Sequence, residues 1–142
     1  MNSKSSLGLL LMRIGVGVIF IAHGWSKLQN IAGTTAFFQG VNIPMPEVFA
    51  WVVGLVEFVG GIALVIGFSV KIVGLLLAVI MAVAILNVKW PAGGFGASEY
   101  EFVLLMVNLG FVFTGAGSNS LFGKKYMSVL GNPSGQQNQP TV

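Results

Sequence analysis

The sequence predicts an all-α protein, a four-transmembrane-helix bundle with a short interfacial helix between helices 1 and 2. Three observations carry that fold class. Four apolar runs, each long enough to cross a bilayer, occur within 142 residues. The chain is 55% hydrophobic and 8% charged, against roughly 25% charged in soluble domains, so a soluble fold of this size could not cover its surface. Finally, a segment crossing lipid must satisfy its own backbone polar groups, which an isolated span does only as a helix.

Span one runs from Leu7 to Lys27 and is interrupted by Arg13 and His23. Lys4 ahead of an apolar stretch fits a secretory signal, but Arg13 breaks that stretch and no small-residue cleavage site follows, so the span is expected to be retained. Residues 29 to 47 connect it to span two. There Gly33-Thr34-Thr35 reads as a helix start and Phe37 and Phe38 as its apolar side. A turn limited by Pro44 and Pro46 follows.

Span two, Phe49 to Phe68, carries Glu57 near its centre. A carboxylate at that depth is costly and marks a functional-site candidate. Gly67, Ser69 and Lys71 form a tight turn into span three, Ile72 to Val88, which is uncharged. The stretch from Pro91 to Gly96 reads as a loop. Span four follows from Ser98 to Gly117, with Glu99 and Glu101 at its entrance and Asn108 inside. Residues 1–126 are read as one membrane domain, and the polar tail 127–142 as disordered.

Composition removes several classes of chemistry. The chain has no cysteine, which excludes disulfides, thiol redox chemistry and cysteine-ligated metal centres within it. His23 is its one histidine, so no metal site is expected, and no tightly bound cofactor. The net charge is +3, but the basic residues are scattered, so the partner is the lipid bilayer rather than nucleic acid. Trp25, Trp51 and Trp90 fall at span ends on one side, as an interfacial belt does. The six methionines read as packing.

At about 100° per residue, Arg13, Gly17, Phe20, His23, Gly24 and Lys27 share an arc of roughly 120° on span one. Around Glu57 the same face holds Gly54, Gly60 and Gly61, small residues that let another helix or a ligand approach. Glu101 and Asn108 lie within about 20° of one another, while Glu99 points elsewhere. Arg13 and Glu57 form a candidate structural ion pair, an extended arginine bridging their depths. The pocket candidates are Arg13, His23, Lys27, Glu57, Lys89, Glu99 and Glu101. They would hold a polar headgroup entering between spans one, two and four. No catalytic residue is assigned.

These residues carry a family resemblance. Arg13-Ile14-Gly15 through Gly17, Phe20, His23-Gly24 and Lys27 resembles the first-helix pattern of the DoxX family. Gly54-Leu55-Val56-Glu57 with Gly60-Gly61 resembles its second-helix signature. Val88-Lys89-Trp90-Pro91 to Phe95, the Glu99-Tyr100 pair, and Gly115-Ala116-Gly117 to Ser120-Leu121 follow in the family's order. One departure is Lys89, where members often carry a histidine; lysine does not titrate near neutral pH, which weakens a proton-relay role at that corner. The resemblance implies a multi-pass inner (plasma) membrane protein, a redox-associated subunit linked to a quinone and to a redox partner protein. The alternative is a non-enzymatic transporter of small solutes or lipid, or an assembly scaffold. Whether the chain is itself an enzyme, and its oligomeric state, stay open.

Four spans put both termini on one side. That side carries Lys4, Lys71, Lys124 and Lys125, against Lys27 and Lys89 opposite, so both termini are predicted to be cytoplasmic. Reporter fusions after Lys125 and at Asn42 should read cytoplasm and outer side respectively. The same side for both would overturn the four-span topology.

Overall fold

A computed structural model describes residues 3–118 and residue 120. The tail 127–142, and the Lys124 and Lys125 used in the orientation argument, lie outside the described residues. Five α-helices follow one another: α1 (Ser3–Gln29), α2 (Ile31–Gly40), α3 (Pro46–Ile66), α4 (Val70–Ala84) and α5 (Trp90–Thr114), with a π-helical turn, Ile85–Lys89, between the last two. The described residues contain no strand.

By length and apolar composition three continuous stretches can cross a membrane, the third running from Val70 to Thr114. That stretch is two legs folded back on each other. Its helical dihedrals break at Gly93 and Gly94, the latter at φ +64°, a backbone region that glycine enters freely. Beyond the break, Gly74 packs on the backbone of Asn108, and Gly115 on the side chain of Lys71. The bundle therefore has four legs. The expected loop from Pro91 to Gly96 is narrower than the sequence suggests: only the two glycines leave the helix, and Ser98 Oγ steadies the bend by donating to the carbonyls of Gly94 (2.9 Å) or Phe95 (3.1 Å).

The turn from α3 to α4 runs through Gly67 at φ +79° and Ser69 at φ +47°. At the other end, α2 begins earlier than expected. Asn30, not Gly33, caps it, its Oδ1 accepting from Gly33 N at 3.0 Å, because asparagine satisfies an orphan N–H of the first turn. No residue of α2 is buried, in keeping with a helix lying across the bundle end. Trp25, Trp51 and Trp90 are each about half exposed at that same end.

The tightest packing joins α1 to α3, antiparallel. A Cβ on Gly17 would lie 2.7 Å from Gly61 O, one on Gly61 2.6 Å from Gly17 O, and one on Gly24 2.3 Å from Phe58 N. The two backbones touch there, which any larger residue would prevent. Phe20, Leu64, Leu77 and Phe111, all buried, fill the core in the half of the bundle away from α2. Overpacking predicts that Gly24→Val lowers thermal stability by about 1–3 kcal/mol. Gly15→Ala, which adds a methyl group to open space, should leave it near wild type. Thermal melts of both variants in mild detergent check this.

Candidate functional site

Helical side chains lean toward the helix N-terminus, and in an antiparallel pair that decides which charges meet. Gly17 opposite Gly61, and Gly24 opposite Gly54 and Phe58, put Glu57 level with Ile21. Lys27 lies about 9 Å further along the axis. Lys27 leans back into the bundle and Glu57 leans toward the α2 end, so they converge. Lys27 Nζ donates to Glu57 Oε2 at 2.5 Å, with the lysine side chain 27% exposed and the carboxylate 2% exposed.

The same rule separates Arg13 from Glu57, correcting the expected ion pair. Arg13 lies level with Val65, about 12 Å from the level of Glu57, and leans away from it. Its guanidinium is buried and donates to the carbonyls of Leu64 (Nε, 3.0 Å), Val65 (Nη2, 3.4 Å) and Ala116. Leu64 and Val65 are in the last turn of α3, at the negative end of the helix dipole, where a cation is favoured; the Leu64 carbonyl also accepts from Gly67 N at 3.2 Å. Arg13 thus ties α1 to the end of α3 and to the segment after α5. Nearby, the hydroxyls of Ser6 and Ser118 are 2.5 Å apart.

A second cation–carboxylate pair joins α4 to α5 by the same geometry. Lys89 ends the π turn and Glu101 lies on the returning helix, Nζ to Oε1 at 3.2 Å. Both acids begin the tripeptide Glu-Phe-Val, at residues 57–59 and 101–103. The phenylalanine of each packs on an aromatic ring: Phe58 on Trp25 at 5.7 Å and Phe102 on Phe95 at 5.5 Å. The two helix pairs therefore present equivalent charge pairs. His23 of α1 meets Tyr100 of α5 edge to face, ring centroids 5.9 Å apart, linking one pair to the other.

These groups surround one cavity of about 730 Å³ at the α2 end. His23, Lys27, Glu57, Lys89 and Glu101 line it, with Tyr100 and Asn87. Phe37 and Phe38 of α2 lie over it, and its remaining wall is mostly valine, leucine and isoleucine from α3 and α4. Span three, uncharged and not among the spans expected to border the site, supplies much of that wall, so the site is not confined to spans one, two and four. Arg13 and Glu99 are outside it. Glu99 is exposed, on the side of α5 away from Glu101. Among the described residues, Glu101 Oε2 and Asn108 Oδ1 are buried without a hydrogen-bond partner, and no three His, Asp or Glu side chains gather as a metal site.

Tyr100, Asn87 and Ser26 are the lining polar residues that sequence reasoning did not place. Tyr100 carried a signal: it precedes an inward acid on a helix and could have been tested against the face of His23. Asn87 carried none, because its direction depends on the π turn, which shifts the helical register by one residue.

Four apolar legs with ionisable side chains gathered around a cavity between them define a small polytopic membrane protein. The chain belongs to the DoxX family, whose pattern matches residues 8–90, from α1 through the π turn. It is 35% identical over 116 residues, 82% of this chain and 85% of the other, to a Bacillus subtilis (strain 168) protein named "Putative oxidoreductase CatD". It is also similar to two proteins of Escherichia coli (strain K12). Inner membrane protein YqjF is 32% identical over 81 residues, 55% of this chain and 58% of the relative. Inner membrane protein YphA is 33% identical over 63 residues, 44% and 45% of the two chains. No solved structure matches the chain significantly.

Lys27→Met leaves the Glu57 carboxylate uncompensated and should lower stability by about 1–3 kcal/mol, discounted for the partial exposure of the lysine. Glu57→Gln should cost less, since Lys27 can then extend to the interface. The double variant should recover part of the Lys27→Met loss, while Arg13→Met and Glu57→Gln should combine additively. Detergent melts of the two double-mutant cycles decide it, and coupling between Arg13 and Glu57 would contradict the geometry.

Proposed function

We propose that the protein is a redox-associated subunit of the plasma (inner) membrane, with both termini cytoplasmic and the α2-end cavity in the outer half, where it holds a quinone-like headgroup. The observation that carries this reading is a single apolar cavity on which two cation–carboxylate pairs, a histidine and a tyrosine converge. That is how sites for mostly apolar ligands fix a polar end. The name of the Bacillus subtilis relative agrees with a redox role, and those of the Escherichia coli relatives with the membrane.

The residues present fit a quinone. Its carbonyl oxygens need donors, which Lys27, Lys89, Tyr100 and His23 supply, and its ring and tail need the apolar wall. When bound, a quinone supplies two-electron, two-proton redox chemistry. The chain's own side chains do the rest. The lysines orient the acceptor oxygens, and their carboxylate partners keep the ammonium groups at fixed positions. The His23 ring and the Tyr100 hydroxyl can hold or pass a proton. Phe37 and Phe38 keep water out. A redox partner protein or the quinone itself carries the electrons.

A second reading is a transporter or assembly scaffold. The observation favouring it is the equivalence of the two charge pairs, one on each helix pair, because transporters place substrate between related halves. Uptake of a solute into proteoliposomes without any redox change would support that reading.

The test is a quinone-dependent redox difference spectrum of the protein purified in mild detergent, with mass spectrometry of co-purifying lipids and proteins. Tyr100→Phe should weaken quinone binding by about three- to tenfold, the worth of one hydrogen bond, with an unchanged melting temperature. Quinone affinity untouched by both Tyr100→Phe and Lys27→Met would remove the headgroup reading.

A further inference from the structure

The α2-end cavity is covered above but not at its side. Phe37, Phe38, Ile43 and Pro44 close it toward the α2 surface. Between α3 and α4, Phe49, Val52, Leu76, Val79 and Val83 line the cavity, and each is more than a third exposed. A wall this accessible marks the side at which the cavity is open.

That mouth has a mechanical origin. The Gly67–Ser69 turn joins α3 to α4 at the opposite end of the bundle, and a Cβ on Gly60 would meet Val73 and Leu77 at 3.4 and 3.5 Å, so the two helices touch there. Further toward α2, no glycine of either helix meets the other: Gly54 faces Leu28 and Lys27 of α1. The helices part instead around Val52, Val56, Ile80 and Val83. The cleft lies between two legs that are apolar enough to cross a membrane, which is the side a bilayer-dissolved molecule would meet.

We infer that this cleft admits a long-chain isoprenoid quinone from the bilayer and retains its tail, while the headgroup reaches Lys27 and Lys89. The inference rests on the headgroup reading above and adds the route and the tail. A water-soluble ligand would need no apolar mouth, and a simple hydrocarbon no charge pairs. The cavity joins both features, so its occupant is an amphiphile with a compact polar end. Val52 on α3 and Val83 on α4 are the lips.

The experiment compares two probes on the purified protein in nanodiscs: an isoprenoid quinone, and the same headgroup without its tail. Val83→Trp should weaken the long-tailed quinone about tenfold, the equivalent of roughly two buried methylenes, and leave the tail-less one unchanged. Leu75→Trp, on the outer face of α4 and away from the cavity, should change neither. Val52→Phe narrows the mouth from the other lip and replaces Val83→Trp if that variant melts early. Equal weakening of both probes, or no effect on either, would overturn the portal and leave the headgroup site standing. Wild type that binds neither quinone overturns both. Retention of a phospholipid that falls in Val83→Trp would then give the cleft to a lipid instead.

Discussion

Backbone contact between α1 and α3 is the constraint on which the other arrangements depend. Where Gly17 meets Gly61 and Gly24 meets Phe58, the helices are too close to slide by a turn without a side chain entering the gap. This sets the register of the pair, and the register sets the partners. Arg13 falls at the last turn of α3, where the helix dipole favours a cation. Lys27 falls within reach of Glu57, where a carboxylate needs a cation. Each buried charge is satisfied by what that register brings level with it.

The pairing rule repeats in the second half of the chain with different materials. No glycine contact puts the backbones of α4 and α5 together as closely as those of α1 and α3, although Gly74 lets Asn108 approach. The cation comes from a π turn rather than from a regular helix end. The result is nevertheless the same: a lysine at the end of an outgoing helix, leaning inward, meets an acid on the returning one. Two such pairs facing one cavity make its polar part, and the parting of α3 from α4 makes its apolar part. Nearly all ionisable groups in the membrane-depth region thus belong either to the cavity or to the Arg13 tie at the opposite end. Those two roles separate stability from ligand contact, so substitutions at Arg13 and at Lys89 should not resemble one another in effect.

The sequence by itself determined the all-helical class, the four legs and the turns, because span length, apolar composition and the backbone's need for internal hydrogen bonds leave few alternatives in lipid. It also marked Glu57, whose depth makes a carboxylate costly, and His23, Lys27, Lys89 and Glu101 as pocket candidates, together with Arg13 and Glu99, which lie outside the cavity. What it could not determine was who meets whom. The pairing of Arg13 with Glu57 followed from depth and reach alone, and those two quantities omit the lean of a side chain along its helix, which sends Arg13 one way and Glu57 the other. Glu99 and Glu101 are two residues apart, and helical spacing already turns them to different sides of span four; which of those sides meets the cavity was decided by how α5 packs, leaving Glu99 exposed and Glu101 in the lining. The contribution of the third span and the inward turn of Asn87 likewise depend on helix separation and on one π turn. Both are set by packing across the bundle, which no local pattern encodes.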